Sequence, residues 1–444
     1  MDSPAASTTV RRIYGNLGKL IGGKAAGAIV SVLYMIIAVR VLGPRDYGVL
    51  ILVHTFAVTV GTIVEFPGWH AVVRYGTQAA QARDDGRLLR LLRFAGLVEG
   101  AGGVCSVLAA AVLAPWIGPR LGWSQTALDF ALPYSFAVLA TIRATPAGYL
   151  QLVGRFDLIG AHNLVSPLVR LAGAGGIALL GGGLHAFLVV WLVAALSEWV
   201  SMWAMGLWVL RRTRPDAKLI GSARGVVREN AGIRRFMLAA NADLTFGDLA
   251  PRLAPLAVGW VMGPVAAGLY SVAQRATVVI SHPVQLLGQA AYAELARLIA
   301  AGGSGAEIRA ALVRMIGIAA AIAVPALLVI AIAADPLAEL IGGPAFRSAG
   351  GVMLWLAAAR AVLLVGPPAT AALAALGRPG LSVAANLICS LGLLPLLPPL
   401  MTAFGLRGAG IHAVLQAVAA SGLLAWFVWR RSGEVDRTGN IRRS

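Results

Sequence analysis

Runs of about twenty apolar residues recur along the whole chain, each closed by a short polar connector. A helix of that length spans the hydrocarbon core of a bilayer. Within hydrocarbon a segment must satisfy its own backbone groups, so such runs read as helices. Strands of an outer-membrane barrel would alternate apolar and polar positions over about ten residues, a different pattern. The runs predict spans near 20–42, 47–69, 94–116, 128–153, 157–181, 184–210, 236–261, 265–291, 312–334, 349–373, 379–401 and 407–429. The fifth is weakened by Arg170 and by glycines between Gly173 and Gly183. The fold class is therefore all-α integral membrane, with about twelve transmembrane helices.

The longest polar connector, 211–235, lies at the midpoint of the chain. It divides an N-terminal six-span half, 1–210, from a C-terminal one, 236–430, which a basic tail, 431–444, follows. The connector carries eight basic residues against Asp216 and Glu229 and reads as a linker lying on anionic headgroups. An internal repeat supports the division. Leu42-Gly43-Pro44 with Gly48-Val49-Leu50 recurs 220 residues later as Met262-Gly263-Pro264 with Gly268-Leu269-Tyr270. Gly154-Arg155 with Ala161, Asn163 and Leu164 recurs 223 residues later as Gly377-Arg378 with Ala384, Asn386 and Leu387. Six spans per half give the two copies the same orientation. Parallel repeats of this kind are a transporter plan, with a substrate path between the halves.

Composition fits the spans: 58% of residues are apolar and only 13% charged, where a soluble domain carries about 25%. The net charge of +18 does not indicate a nucleic-acid partner, because the basic residues sit mainly in connectors and only three of 37 are lysine. Their distribution is a topology signal. The N-terminus, the 70–93 and 211–235 connectors, the 292–311 region with Arg314, the turns at Arg155 and Arg378, and the tail hold 26 of them. The opposite connectors hold Arg45, Arg120, Arg347 and Arg407. Both termini are thus expected in the cytoplasm, in a multi-pass protein of the cytoplasmic membrane. Cys105 and Cys389 lie inside apolar runs, which offers no disulfide framework and no metal site. Met1 to Lys19 is polar and basic, unlike a cleavable signal peptide. No phosphate loop, zinc-protease motif or nucleophile elbow is present, so neither a catalytic residue nor a cofactor is expected.

Ionisable groups at membrane depth cost several kcal/mol and mark functional sites. Arg143, Arg170, Arg252, Arg275 and Arg360 fall mid-span and form the candidate substrate site, a cationic cavity. Arginine suits a pyrophosphate, since it offers paired planar donors and keeps its charge when buried. Asp243, Asp248, Glu65 and Glu198 are candidates for ion coupling or gating, with Asp248 placed to pair with Arg252 one turn on. Lys24, Arg40 and Glu99 read as interfacial. Polar stripes follow helical spacing: His54, Gly61 and Glu65; Asn163, Ser166 and Arg170; Ser271, Arg275 and His282. The histidines read as hydrogen-bonded helix contacts. Trp191, Trp199, Trp203 and Trp208 read as interfacial or lipid-facing packing.

Asn16, the stretch from Arg40 to Leu50 (RVLGPRDYGVL) and Val73-Arg74-Tyr75 resemble the polysaccharide-repeat flippases. These are the Wzx-like members of the multidrug/oligosaccharidyl-lipid/polysaccharide (MOP) exporter superfamily. Phe66-Pro67-Gly68-Trp69 departs from that pattern. The resemblance implies two six-helix bundles around a central cavity, open alternately to either side. It also implies an undecaprenyl-pyrophosphate-linked oligosaccharide as cargo, with glycosyltransferases and a polysaccharide polymerase as partners. Two other readings compete: a MATE-like drug or metabolite antiporter, which should have an acidic cavity, and a membrane polymerase or ligase acting on the same lipid carrier. The latter usually carries a large external loop, whereas external connectors here are short.

Overall fold

Where the chain stays apolar for a full membrane thickness it is helical, and the helices are interrupted where proline and glycine fall. The structure is a computed structural model describing residues 4–64, 68–217, 221–278, 294–295, 297–299, 301 and 303–438. Of residues 4–21, 239–248, 250, 322, 379 and 434–438 it describes the backbone alone. Among the described residues every regular element is helical.

The first part of the chain contains α1 (Pro4–Val64), α2 (Trp69–Gln81), α3 (Asp85–Ile117), the short α4 (Gln125–Asp129) and α5 (Ala131–Tyr134), a 3-10 turn (Ser135–Thr141), α6 (Ala144–Leu152), α7 (Phe156–Leu180), α8 (Leu184–Thr213) and α9 (Val226–Glu229). Then follow α10 (Ile233–Val278), α11 (Gly305–Gly342), α12 (Ala349–Val362), a 3-10 turn (Leu363–Val365), α13 (Gly366–Ala375), α14 (Pro379–Gly392), α15 (Leu397–Phe404) and α16 (Leu406–Thr438). Nine helical stretches among the described residues are long and apolar enough to cross a membrane. One of them, Gly22–Val64, takes in most of the first two expected spans, because α1 breaks at Gly43. The expected fifth span forms in full as α7 despite its glycines. A count of twelve is not reached among the described residues, in part because the eighth expected span runs beyond Val278.

The fourth expected span, 128–153, is not one helix. It is divided into α4, α5, the 3-10 turn and α6, with a break at Ile142 and Arg143. Nor is 70–93 a loop. Ala71, Val72, Tyr75, Gly76 and Ala79 share one buried face of α2, an amphipathic pattern too polar for a span. Asp84 then starts α3, its side chain accepting from the Arg87 N–H at 2.8 Å.

Contacts divide the chain into two units, Met1–Leu249 and Ala250–Ser444. In the first, part of the basic connector packs on α3. Asn230 accepts from the Arg87 guanidinium at 2.9 and 3.1 Å, Glu229 pairs with Arg90 at 2.9 Å, and Asp85 pairs with Arg214 at 2.8 Å. Burial alone would lower the Arg214 pKa, but hydrogen bonds to Asp85 and Tyr149 outweigh it and hold the group above its usual value. Val226 and Ile233 join Ala71, Tyr75 and Leu91 in an apolar cluster beneath these pairs. Small residues let α1 and α7 approach closely: a Cβ at Gly27 would sit 2.9 Å from the Asn163 carbonyl oxygen. In the second unit, Leu312 of α11, Leu373 of α13, Ala385 of α14 and Leu424 of α16 share one core.

The Gly-Pro repeat of the sequence is matched in the backbone. Gly43 (φ 69°, ψ 179°) and Gly263 (φ 83°, ψ 179°) adopt one conformation, a region open almost only to glycine. Positive φ also recurs at Gly122 and Gly343, Gly154 and Gly377, and Gly181 and Gly405, at offsets of 221, 223 and 224 residues, although ψ differs within the first and third pairs (30° against −178°, and 30° against −145°). Among the described residues, the two other glycines with positive φ, Gly225 and Gly232, belong to the connector.

Candidate functional site

The break at Ile142–Arg143 organises the interior of the first unit. Pro146 sits in the first turn of α6, where a missing N–H leaves nothing unsatisfied. The N–H groups of Ala144 and Thr145 still need acceptors, and both donate to the carboxylate of Glu99, the latter at 2.7 Å. On the other side of the break the Ile142 carbonyl accepts from the Trp203 indole N–H at 2.9 Å. Side chains from α3 and α8 thus replace hydrogen bonds that a continuous helix would have made itself, as irregular backbone at membrane depth requires. Glu99 is 0% exposed, so its assignment to an interface is corrected: it is a buried cap.

Two arginine networks lie in this unit. Arg143, at the break, pairs with Glu198 of α8 and donates to His162 Nε2 at 3.0 Å. His162 Nδ1 lies 3.1 Å from Ser201 Oγ, which donates to the Glu198 carbonyl at 3.2 Å. Since an arginine can only donate, His162 must accept at Nε2 and donate at Nδ1, which makes it neutral. In the second network Arg170 of α7 donates to His54 Nε2 at 3.0 Å and to the Tyr34 hydroxyl at 3.3 Å, both on α1. His54 Nδ1 in turn reaches the Tyr134 hydroxyl at 3.0 Å, which by the same logic fixes it as the neutral Nδ1–H tautomer. The guanidinium also lies over the Tyr34 and Trp191 rings, 5.7 and 5.3 Å from their centroids. Arg170 is 7% exposed, and among the described residues none of its partners is a carboxylate.

The stripes expected on the second and fifth spans therefore meet, at His54 and Arg170. In the second unit Arg252 and Arg275 flank Gly263 on α10, both partly buried, and Arg360 on α12 is partly buried beside the phenol of buried Tyr270. Glu65 lies outside the described residues, as do His282 and the side chains of Asp243 and Asp248, and with them the expected Asp248–Arg252 pair. Of the four tryptophans, Trp208 is 41% exposed, as interfacial packing requires, but Trp191 is 1% exposed and packs on Arg170. His162 is a hydrogen-bonded helix contact, as expected, whereas Ser201 and the capping role of Glu99 were not singled out by sequence reasoning. A proline three residues after an arginine within an apolar run was the available signal, since that is how helices begin.

A family model described as "Polysaccharide biosynthesis protein" matches residues 37–349, a stretch that holds four of the five arginines and, apart from Tyr34, both networks. The chain belongs to this family. Its description agrees with the polysaccharide branch that the Gly-Pro turns resemble. Inner membrane protein YghQ of Escherichia coli (strain K12) is 25% identical over 297 residues, covering 66% of this chain and 82% of that protein. Among solved structures, a multidrug resistance MATE family transporter of the MOP superfamily aligns with a TM-score of 0.69 at 15% identity, over 97% of this chain and 99% of its own. A MATE transporter of Vibrio cholerae gives 0.59 at 14% identity over 98% of each chain. A MOP superfamily transporter from Pyrococcus furiosus, described as having a binding pocket of reverse polarity, gives 0.54 at 14% identity over 95% of each. The fold is that of the MOP transporters, and the protein is a multi-pass membrane protein.

Proposed function

We propose that this protein flips undecaprenyl-pyrophosphate-linked oligosaccharide repeat units across the cytoplasmic membrane for surface polysaccharide biosynthesis, by alternating access. The observation that carries this reading is Arg170, a cation at 7% exposure surrounded by two phenols, an indole and a neutral histidine. Burying an ion without a counter-ion is unfavourable by several kcal/mol, and an anionic cargo supplies the missing charge. Membership of a polysaccharide biosynthesis family makes a lipid-linked sugar the fitting anion. Arg143, Arg252, Arg275 and Arg360 are further candidates for holding the pyrophosphate. In this reading both termini are cytoplasmic, glycosyltransferases supply the cargo and a polymerase consumes it.

Glu198 has the geometry for coupling. Its protonation would release Arg143, so a proton gradient acting there would change how firmly that arginine is held. Asp243, Asp248 and Glu65 remain candidates for the same role. An antiporter of hydrophobic cations needs an uncommitted acid, whereas among the described residues of the first unit's interior Glu99 is engaged by backbone N–H groups and Glu198 by Arg143. Deleting the gene tests the cargo: lipid-linked repeat units should accumulate on the cytoplasmic leaflet while their synthesis continues. An unchanged lipid-linked pool with normal surface polysaccharide would refute it.

A further inference from the structure

The first unit has a cavity of about 460 Å³ outside both arginine networks. Its walls are Leu89, Leu92 and Leu97 of α3 and Leu207 and Leu210 of α8. Its floor is Thr145 and Pro146, the start of α6. Both walls belong to helices long and apolar enough to cross a membrane. The surface around it is exposed and apolar, with Leu97 64%, Val200 54% and Trp208 41% accessible, so bilayer hydrocarbon is the medium that meets it. One edge is cationic. The Arg93 guanidinium reaches the Ser222 carbonyl at 3.4 Å and lies against Gly221, which also lines the cavity. Arg211 and Arg212 in the last turn of α8 add charge near the same end of that helix.

We infer that this groove holds a hydrocarbon chain of an anionic glycerophospholipid, with the headgroup phosphate at Arg93. From Leu89 to Leu97 the α3 wall is about 12 Å long at the helical rise, enough for part of one chain. A groove without charge would take any lipid. A basic edge beside an apolar slot between spanning helices selects an anionic headgroup over a zwitterionic one. The chain would rest on Pro146, directly against the break whose N–H groups Glu99 holds. A resident lipid of the bilayer thus completes the packing of the interrupted fourth segment. The inference does not depend on which cargo is moved.

Photoactivatable phosphatidylglycerol with a diazirine in its acyl chain tests this in nanodiscs containing the full chain. Labelling should map to peptides covering 89–97 and 203–210, several-fold above that from phosphatidylcholine carrying the same chain. Gly96→Leu should reduce it several-fold, because a Cβ there meets only the Trp203 ring, at 3.6 Å, and the side chain enters the groove. Leu207→Phe on the facing wall repeats the test if Gly96→Leu fails to insert. Arg93→Gln should bring phosphatidylglycerol labelling down to the phosphatidylcholine level. Equal labelling by the two headgroups in the unaltered protein, or labelling that survives both groove-filling variants, overturns the inference. So does displacement of the probe by stoichiometric polyprenyl phosphate, which would assign the groove to the cargo carrier.

Discussion

The two units break their fourth and tenth segments at corresponding places but hold the breaks by different chemistry. In the first, the Ile142–Arg143 break is surrounded by Glu99, Arg143, Glu198 and His162, two of them buried. In the second, α12 gives way to a 3-10 turn and then to Gly366-Pro367-Pro368, whose prolines need no acceptors, and Ser421 donates to the freed Val362 carbonyl at 2.9 Å. Among the described residues, Glu99 and Arg170 are the charged side chains in the buried class, and both lie in the first unit. The two units share a scaffold pattern, four pairs of positive-φ glycines included, while among the described residues the fully buried charges lie in one of them. A buried charge that only held a helix break would be dispensable, since glycine and proline do the same in the other copy.

The largest effect that would test this contrast is at Glu99. Glu99→Ala removes the acceptor of two buried N–H groups and should cost about 3–5 kcal/mol, enough to deplete folded protein from the membrane. Fluorescence-detected size exclusion after heating in detergent measures it. A loss near 1 kcal/mol would mean that water or rearrangement rescues the break, and that the two copies are held alike.

Next comes the cation pair Arg170 and Arg360. Arg170→Met replaces a buried charge by an apolar chain of similar length, a change that often preserves or raises stability. Transport should nevertheless fall at least tenfold, about 1.4 kcal/mol or more in rate terms, if the charge serves an anion. Arg360→Met, with more solvent at hand, should lower transport less. Complementation of a deletion strain, with membrane levels checked by blot, separates these outcomes. Normal transport by Arg170→Met would return that arginine to a packing role.

Much of the scaffold was legible because it depends on local rules. Apolar length gave the spans, and the Gly-Pro turns gave the repeat, since only glycine can take φ 69° or 83° with an extended ψ. The break in the fourth segment was not legible, because an apolar run reads the same whether it is continuous or divided. Glu99 looked interfacial because its partners are backbone groups 45 and 46 residues away, which no side-chain spacing encodes. The docking of the basic connector likewise rests on pairs such as Arg87–Asn230, 143 residues apart. Of the candidate site, helical spacing correctly grouped Asn163, Ser166 and Arg170, but the partner stripe at His54 became evident only through tertiary packing.

The smallest effects expected are at the two hydrogen bonds that the breaks share. Trp203 donates to the Ile142 carbonyl and Ser421 to the Val362 carbonyl, both at 2.9 Å. Each is a neutral donor serving an acceptor released by an interrupted helix, so the two differ in chemistry far less than Glu99 differs from the described groups at the second break. Side-chain hydrogen bonds between membrane helices contribute about 0.6 kcal/mol on average and up to about 1.7. Ser421→Ala should therefore cost roughly that average, and Trp203→Phe somewhat more, because a ring is also trimmed. Thermal unfolding of the two variants in the same detergent gives the comparison directly. Closely similar losses would place these bonds in the duplicated scaffold and leave the asymmetry to the ionised groups. A Trp203→Phe loss as large as that of Glu99→Ala would show instead that the whole first break is one cooperative network, with the indole as much a part of it as the carboxylate.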